Sequence, residues 1–352
     1  MSRHNRFSSD RIVSREHTAA RPWGRREFVK GVAALAGSVG LFGYDVSPGV
    51  AEPPAETSRI RLAQIPGICI APQYVAEELL RSEGFTDIQY VKVGSGTMYK
   101  AFAAGEIDMS MAFVAPFIMQ VDAGHPLVLL AGVHVGCYEL FGTDRVRSIS
   151  DLKGRTVAIP ELGSPHHIFL ASMASYVGLN PDRDINFVIQ QPTESMKLLA
   201  EKRIDALMGF PPVPQEMRAK KIGQVIVSSG KDRPWSQYFC CTVAGHAEFV
   251  RKHPVATKRT LRAILKAANL CAAQPEKAAR LIAAKGYNYE YALQTVKEIP
   301  YDKWREYDPE DAMRFYALRL HEAGMLKSTP QKIIAQGTDW RFLNQLKKEL
   351  KA

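Results

Sequence analysis

The stretch DIQYV at Asp87 to Val91 returns as DINFV at Asp184 to Val188, with the same order of polar and apolar residues and an offset of 97. One repeated strand proves little; a duplicated unit must repeat its other elements in the same order. It does. RLAQIPG (Arg61 to Gly67) is answered by RTVAIPE (Arg155 to Glu161), each an apolar strand stopped by Ile and Pro. YVAEELLRSEGFT and IFLASMASYVGLN follow, with apolar residues at helical spacing (Val75, Leu79, Leu80; Phe169, Leu170, Met173, Val177) and Gly or Asn near the end. Then TMYKAFAAGE and ESMKLLAEKR read as second helices. They lead into IDMSMAF (Ile107 to Phe113) and IDALMGF (Ile204 to Phe210), again 97 apart. Each unit is β, α, β, α, β, so the chain is expected to be an α/β protein of two lobes, each a mainly parallel sheet flanked by helices.

The 352 residues, 46% hydrophobic and 23% charged, suffice for two such cores in a globular protein. The net charge of +10 raises the question of nucleic acid. Eight bases against four acids stand in the first 51 residues, and the remaining charges are mixed along the helices. No basic patch is left, and no nucleic-acid partner is expected.

That basic N-terminus has a grammar of its own. GRREFVKG (Gly24 to Gly31) sets the pair Arg25 and Arg26 before Phe28 and Lys30, and the weakly apolar GVAALAGSVGLFG follows. This resembles a twin-arginine (Tat) export signal. The apolar run is shorter than the roughly 20 residues that span a bilayer. SPGVAEPP places small residues at Gly49 and Ala51, which suits cleavage after Ala51. The first cysteine is Cys69, so no lipid anchor at the new N-terminus is implied. Residues 1–51 are read as the signal and the remainder as periplasmic.

In sheets of this kind ligands gather beyond the carboxyl ends of the strands, where helix N-termini offer unpaired N–H groups and partial positive charge. The matched loops there are PGICIAPQ and PELGSPHH, GSGT and PTES, AFVAP and GFPP. Candidate ligand-binding residues are therefore Gln64, Cys69, Gln73, Ser95, Gly96, Thr97 and Phe113 from the first unit, and Ser164, His166, His167 and Phe210 from the second, with Trp235 near the mouth. Each has a structural alternative. Ser and Thr there also serve as helix N-caps, and Phe113 and Phe210 as core. Glu161 and Glu194 argue against a purely anionic ligand if they face the cleft, and equally cap helices.

The order GSGTMYKAFAAGEIDMSM, DLKGRTVAIPELGS, KRIDALMGFPP and YDPEDAMRFYALRLHEAGMLKSTPQKII resembles the nitrate/sulfonate/taurine (NitT/TauT, NMT1-like) class of ABC transporter substrate-binding proteins from about Arg59 onward. The resemblance implies a type II periplasmic binding protein: two lobes joined by a two-strand hinge that close on a small, usually anionic or sulfur- or nitrogen-bearing ligand. Its partners would be that ligand, an ABC permease in the inner membrane and, during export, the Tat translocase. A monomer without catalytic residues, metal or cofactor is expected. Residues 52–142 would form lobe 1, residues 143–237 lobe 2, and residues 238–352 the return to lobe 1 with C-terminal helices that pack mostly on it.

CYELFGTD and YFCCTVAG are the expected crossings between lobes. Five cysteines (Cys69, Cys137, Cys240, Cys241, Cys271) are an odd number for an oxidising compartment. A Cys137 disulfide to Cys240 or Cys241 and a set of free buried thiols both fit the spacing. Two rival functions remain open. Pyrimidine-precursor synthases of thiamine biosynthesis share the fold, but their cysteine-rich run is reduced here to Cys240 and Cys241; a periplasmic sensor partner is the other. His166 and His167 lack metal-ligand spacing, and no P-loop, nucleophile elbow or dinucleotide fingerprint is present.

Overall fold

Strands as short and apolar as these are stable only when paired into a sheet whose faces are covered. The computed structural model, which describes residues 52–94 and 97–350, shows how that is met. The first strands are β1 (Arg59–Gln64), β2 (Asp87–Lys92), β3 (Met109–Phe113) and β4 (Leu127–Val135). Next come β5 (Glu139–Gly142), β6 (Arg155–Ile159), β7 (Ile185–Ile189), β8 (Ala206–Gly209) and β9 (Gln224–Ser228), and the chain returns with β10 (Phe239–His246). They form two five-stranded sheets, β2-β1-β3-β10-β4 and β7-β6-β8-β5-β9.

The sheets are copies of one plan. β1 and β2 run parallel from Arg59 opposite Asp87, and β6 and β7 run parallel from Arg155 opposite Ile185. In each sheet the central parallel strand takes an antiparallel neighbour: β10 beside β3, β5 beside β8. All five residues of β3, enclosed on both edges, are buried, whereas the edge strands β2 and β7 keep half-exposed residues. The repeated Ile-Asp pair has one job in both halves. Asp108 accepts from the backbone N–H of Arg61 at 2.8 Å, and Asp205 from that of Thr156 at 3.0 Å. Each aspartate ties the start of its strand to the first strand of its unit and is offset by an arginine, Arg61 or Arg145.

Strand β5 belongs to the second sheet, so the boundary drawn after residue 142 lies one strand too late. ELFG is an apolar strand wherever it lands, and periodicity does not say which sheet accepts it. The first crossing is the short link Gly136 to Tyr138; the return runs between β9 and β10. The two meet at a pair of glycines: a Cβ on Gly136 would stand 2.1 Å from the Gly230 Cα.

The C-terminal helices do not keep to one lobe. The helix Pro309–Glu322 packs against Val114–Asp122 of the first lobe and against Pro165–Tyr176 of the second. The reason is aromatic. Phe113, Phe169 and Tyr316 interlock with ring centroids 5.0 to 6.0 Å apart, and Tyr138 joins them. Among the described residues no helix is long and apolar enough to cross a membrane.

Candidate functional site

Between the two sheets, beyond the carboxyl ends of their parallel strands, lies a cavity of about 380 Å³. Pro66, Gly94 and Thr97 line it from the first lobe; Pro160, Glu161, Ser164, His166, Gln191, Pro192, Phe210, Pro212 and Val213 line it from the second.

Most of those second-lobe residues are helix beginnings. Ser164 is the N-cap of Pro165–Tyr176, and its Oγ accepts the His167 N–H at 3.4 Å. Gln191 is the N-cap of Pro192–Ala200, and no side chain caps that end. Pro212 is the N-cap of Val213–Lys220. Proline in the first turn explains why all three helices start where they do, since it fixes φ and has no N–H to lose. From the first lobe Thr97 begins the short helix Met98–Ala103, its Oγ1 accepting the Gly94 N–H at 3.0 Å. Three helices of eight or more residues therefore turn their N-termini to one space, and the partial positive charges add there.

His166 is the one imidazole in the lining. Its ring is 5% exposed and stacks on Phe210 with centroids 4.8 Å apart, and its Nδ1 has no hydrogen-bond partner. Burial pushes its pKa down to about 4, so the ring is neutral in ordinary buffers and presents an unused polar atom. Glu161, exposed at the rim, is the lone carboxylate of the lining.

The lobes touch at the cavity floor. The Ile68 N–H donates to the Pro211 carbonyl at 3.0 Å, and a Cβ on Gly67 would meet the Phe210 ring at 2.7 Å. Glycine at 67 thus lets the aromatic wall of one lobe lie against the backbone of the other.

Of the residues expected from sequence, Thr97, Ser164, His166 and Phe210 line the cavity. Ser95 and Gly96 lie outside the described residues. The others go elsewhere. Gln73 is fully buried, donating to the Ala63 carbonyl at 2.6 Å and accepting the Met111 N–H at 2.7 Å, so both ends of its amide are spent bracing β1 against β3. Gln64 ends β1, where its carbonyl takes the Val93 N–H. His167 accepts the Gly163 N–H at 3.1 Å and sets its ring edge-on to Phe187. Phe113 and Cys69 reach only a separate void of about 20 Å³ below the cleft floor. Trp235 is core, edge-on to Phe169, Tyr176 and Phe315. The helix starts at Gln191 and Pro212 were not singled out from sequence, although the prolines of PTES and GFPP marked them.

All five cysteines are free thiols in this structure, and the Sγ atoms of Cys137 and Cys240 stand 3.2 Å apart.

Comparison with known proteins agrees with this plan. The model of the NMT1-like family matches residues 53–285. The periplasmic nitrate-binding protein NrtA of Synechocystis PCC 6803 superposes with a TM-score of 0.68 at 16% identity, over 85% of this chain and 90% of that one. The alkanesulfonate-binding protein SsuA of Xanthomonas axonopodis pv. citri, bound to MOPS, gives 0.66 at 16% identity over 81% and 99%. The periplasmic aliphatic sulphonate binding protein SsuA of Escherichia coli gives 0.62 at 20% over 80% and 91%. No curated protein sequence matches. With the family matched over most of its length and the periplasmic binding protein fold repeated in its two sheets, the chain belongs to the NMT1-like family.

Proposed function

We propose that this chain is the extracytoplasmic solute-binding component of an ABC importer, which closes its two lobes on a small organic anion and presents it to an inner-membrane permease. The observation that carries the reading is the convergence of helix N-termini on a cavity between two sheets that are copies of one unit. Neutral donors and helix ends hold an anion without burying an opposing charge, which keeps the desolvation cost low.

The size of the cavity narrows the ligand class. At about 380 Å³ the cavity falls within the roughly 300 to 1,000 Å³ of small-molecule sites. Much of the wall is Phe210, Val213 and prolines 66, 160, 192 and 212. A sulfonate or carboxylate with an apolar portion fits, the acid group toward Ser164 and the helix starts and the apolar portion toward Phe210.

Calorimetric titration of taurine, short alkanesulfonates, aromatic carboxylates and nitrate into the chain tests the reading, alongside Thr97→Val and Ser164→Ala. Each substitution should weaken binding of the retained anion by about 1 to 3 kcal/mol, the cost of an unsatisfied buried group. Ser164→Ala should also cost ~1 kcal/mol of apo stability as a lost cap. Unchanged Kd in both variants would show that neither side chain touches the ligand and would overturn this placement of the acid group.

On the same reading Arg25 and Arg26, outside the described residues, direct export through Tat. Replacing both by Lys should hold the precursor in the cytoplasm, because charge alone does not satisfy a translocase that reads the arginine pair. Fractionation of cells checks it; undiminished periplasmic yield would remove the Tat assignment.

A further inference from the structure

Three of the five cysteines meet at one point that the solute cavity does not use, and a fourth stands beside them. Cys69 follows β1, Cys137 sits on the first crossing between sheets, and Cys240 and Cys241 lie on the returning strand β10. The sulfurs of Cys69, Cys137 and Cys241 all lie within 4.8 Å of one another, and Cys240 Sγ is 3.2 Å from Cys137 Sγ. Adjacent residues of a regular strand point to opposite faces. The pairing of β10 with β4 is irregular at this spot, with register shifts on both sides of Cys241, and a bulge of that kind re-aims a side chain.

An imidazole joins them. His134, 1% exposed, pairs across the sheet with Cys241. Its Nδ1 lies 3.1 Å from the Gly136 carbonyl and 3.2 Å from that of Val135, so Nδ1 carries the hydrogen and Nε2 the lone pair. That Nε2 is buried without a hydrogen-bond partner. Imidazoles that ligate metals are oriented in this way, with the second nitrogen fixed by a carbonyl.

We propose that Cys69, Cys137 and Cys241, completed by Cys240 or His134, form a binding site for one thiophilic metal ion of the zinc(II) or copper(I) class. Thiolates and imidazole together select soft and borderline ions, and three thiols around one point with a fourth donor beside them suit a closed, tetrahedral structural site. Each ligating thiol gives its proton to solvent on binding, with no change of oxidation state. No metal motif is readable in the sequence because the ligands come from segments 68 and 103 residues apart.

The bound ion would tie the loop after β1, the first crossing and the returning strand together, just below the floor of the cleft. Cys69 and Cys241 share their 20 Å³ void with Phe113, Tyr138 and Phe210, and Phe210 is also a wall of the solute cavity. The site is independent of the solute reading: either can hold without the other.

The test uses the full chain purified under reducing conditions and offered zinc(II) alone or copper(I) alone. Native mass spectrometry should show one ion per chain, with the mass increment revealing protons lost, and the melting temperature should rise. Cobalt(II) in the same site should give thiolate-to-metal charge-transfer absorption. Cys69→Ser and Cys241→Ser should each lower affinity at least tenfold, whereas Cys271→Ser, whose thiol is buried in the helix Pro254–Ala273 away from the cluster, should not. His134→Asn gives a second probe should a cysteine variant fail to fold. The reduced chain taking up neither ion would overturn the proposal, as would uptake undiminished in Cys69→Ser and Cys241→Ser, or a Cys137–Cys240 disulfide that re-forms in preference to metal binding.

Discussion

His166 and His167 are neighbours in the chain with separate fates: one ring stacks on Phe210 at the cavity, the other stands edge-on to Phe187 and braces a loop. The first has a measurable consequence. His166 has an ordinary value of 6.5 and is pushed down to about 4 by burial in the fold, so the unfolded chain takes the proton first as pH falls. Its contribution to stability is full above pH 6.5 and is lost progressively on descent to about pH 4, by an amount on the order of 3 kcal/mol. His167, also lowered by burial, acts in the same direction. Glu139, raised by burial against Arg218, acts in the opposite one. His166→Gln therefore isolates the effect: urea midpoints at pH 7 and pH 4.5 should differ less in the variant than in the parent. An equal difference in both would mean that the His166 ring is protonated in the fold.

The element that most needs its residue is the crossing between sheets. Gly136 has φ +54°, a left-handed conformation that costs an L side chain roughly 1 to 2 kcal/mol, and its α-carbon faces Gly230 too closely for any Cβ. Gly136→Ala should cost about 2 to 4 kcal/mol in urea unfolding, strain and overpacking together. A loss below 0.5 kcal/mol would show that the crossings are not in contact in solution. At this scale the sequence was most readable. The matched strands β1/β6, β2/β7 and β3/β8 were visible because alternation and the repeated Ile-Asp pair are local patterns set by burial and by one carboxylate-to-backbone bond. The placement of β5 was not, because an apolar tetrapeptide fits either sheet. The site divided the same way. Ser164 was readable because capping is local, whereas Gln73 was misjudged because its two partners, Ala63 and Met111, are brought to it only by the fold. The thiol cluster, built from three distant segments, left no local trace beyond the doublet Cys240–Cys241.

For the molecule as a whole, two copies of one sheet face each other across a cavity. Strand exchange binds them: each sheet is completed by a strand that has just crossed from the other half, β5 in the second and β10 in the first. Arg218 of the second lobe joins Glu139 of its own sheet at 2.5 Å and Glu298 of the C-terminal helices at 2.7 Å, so that lobe is tied to the C-terminal helices. Residues of both lobes line the cavity, so a ligand entering there is held by both at once. The most direct test is a crystal structure of the chain grown with the anion that titration shows to bind most tightly. The expected result is ligand density between Thr97 of the first lobe and Ser164 and His166 of the second, the acid group at the helix starts and the apolar portion against Phe210. A ligand bound to one lobe alone, or anywhere outside that cavity, would contradict it.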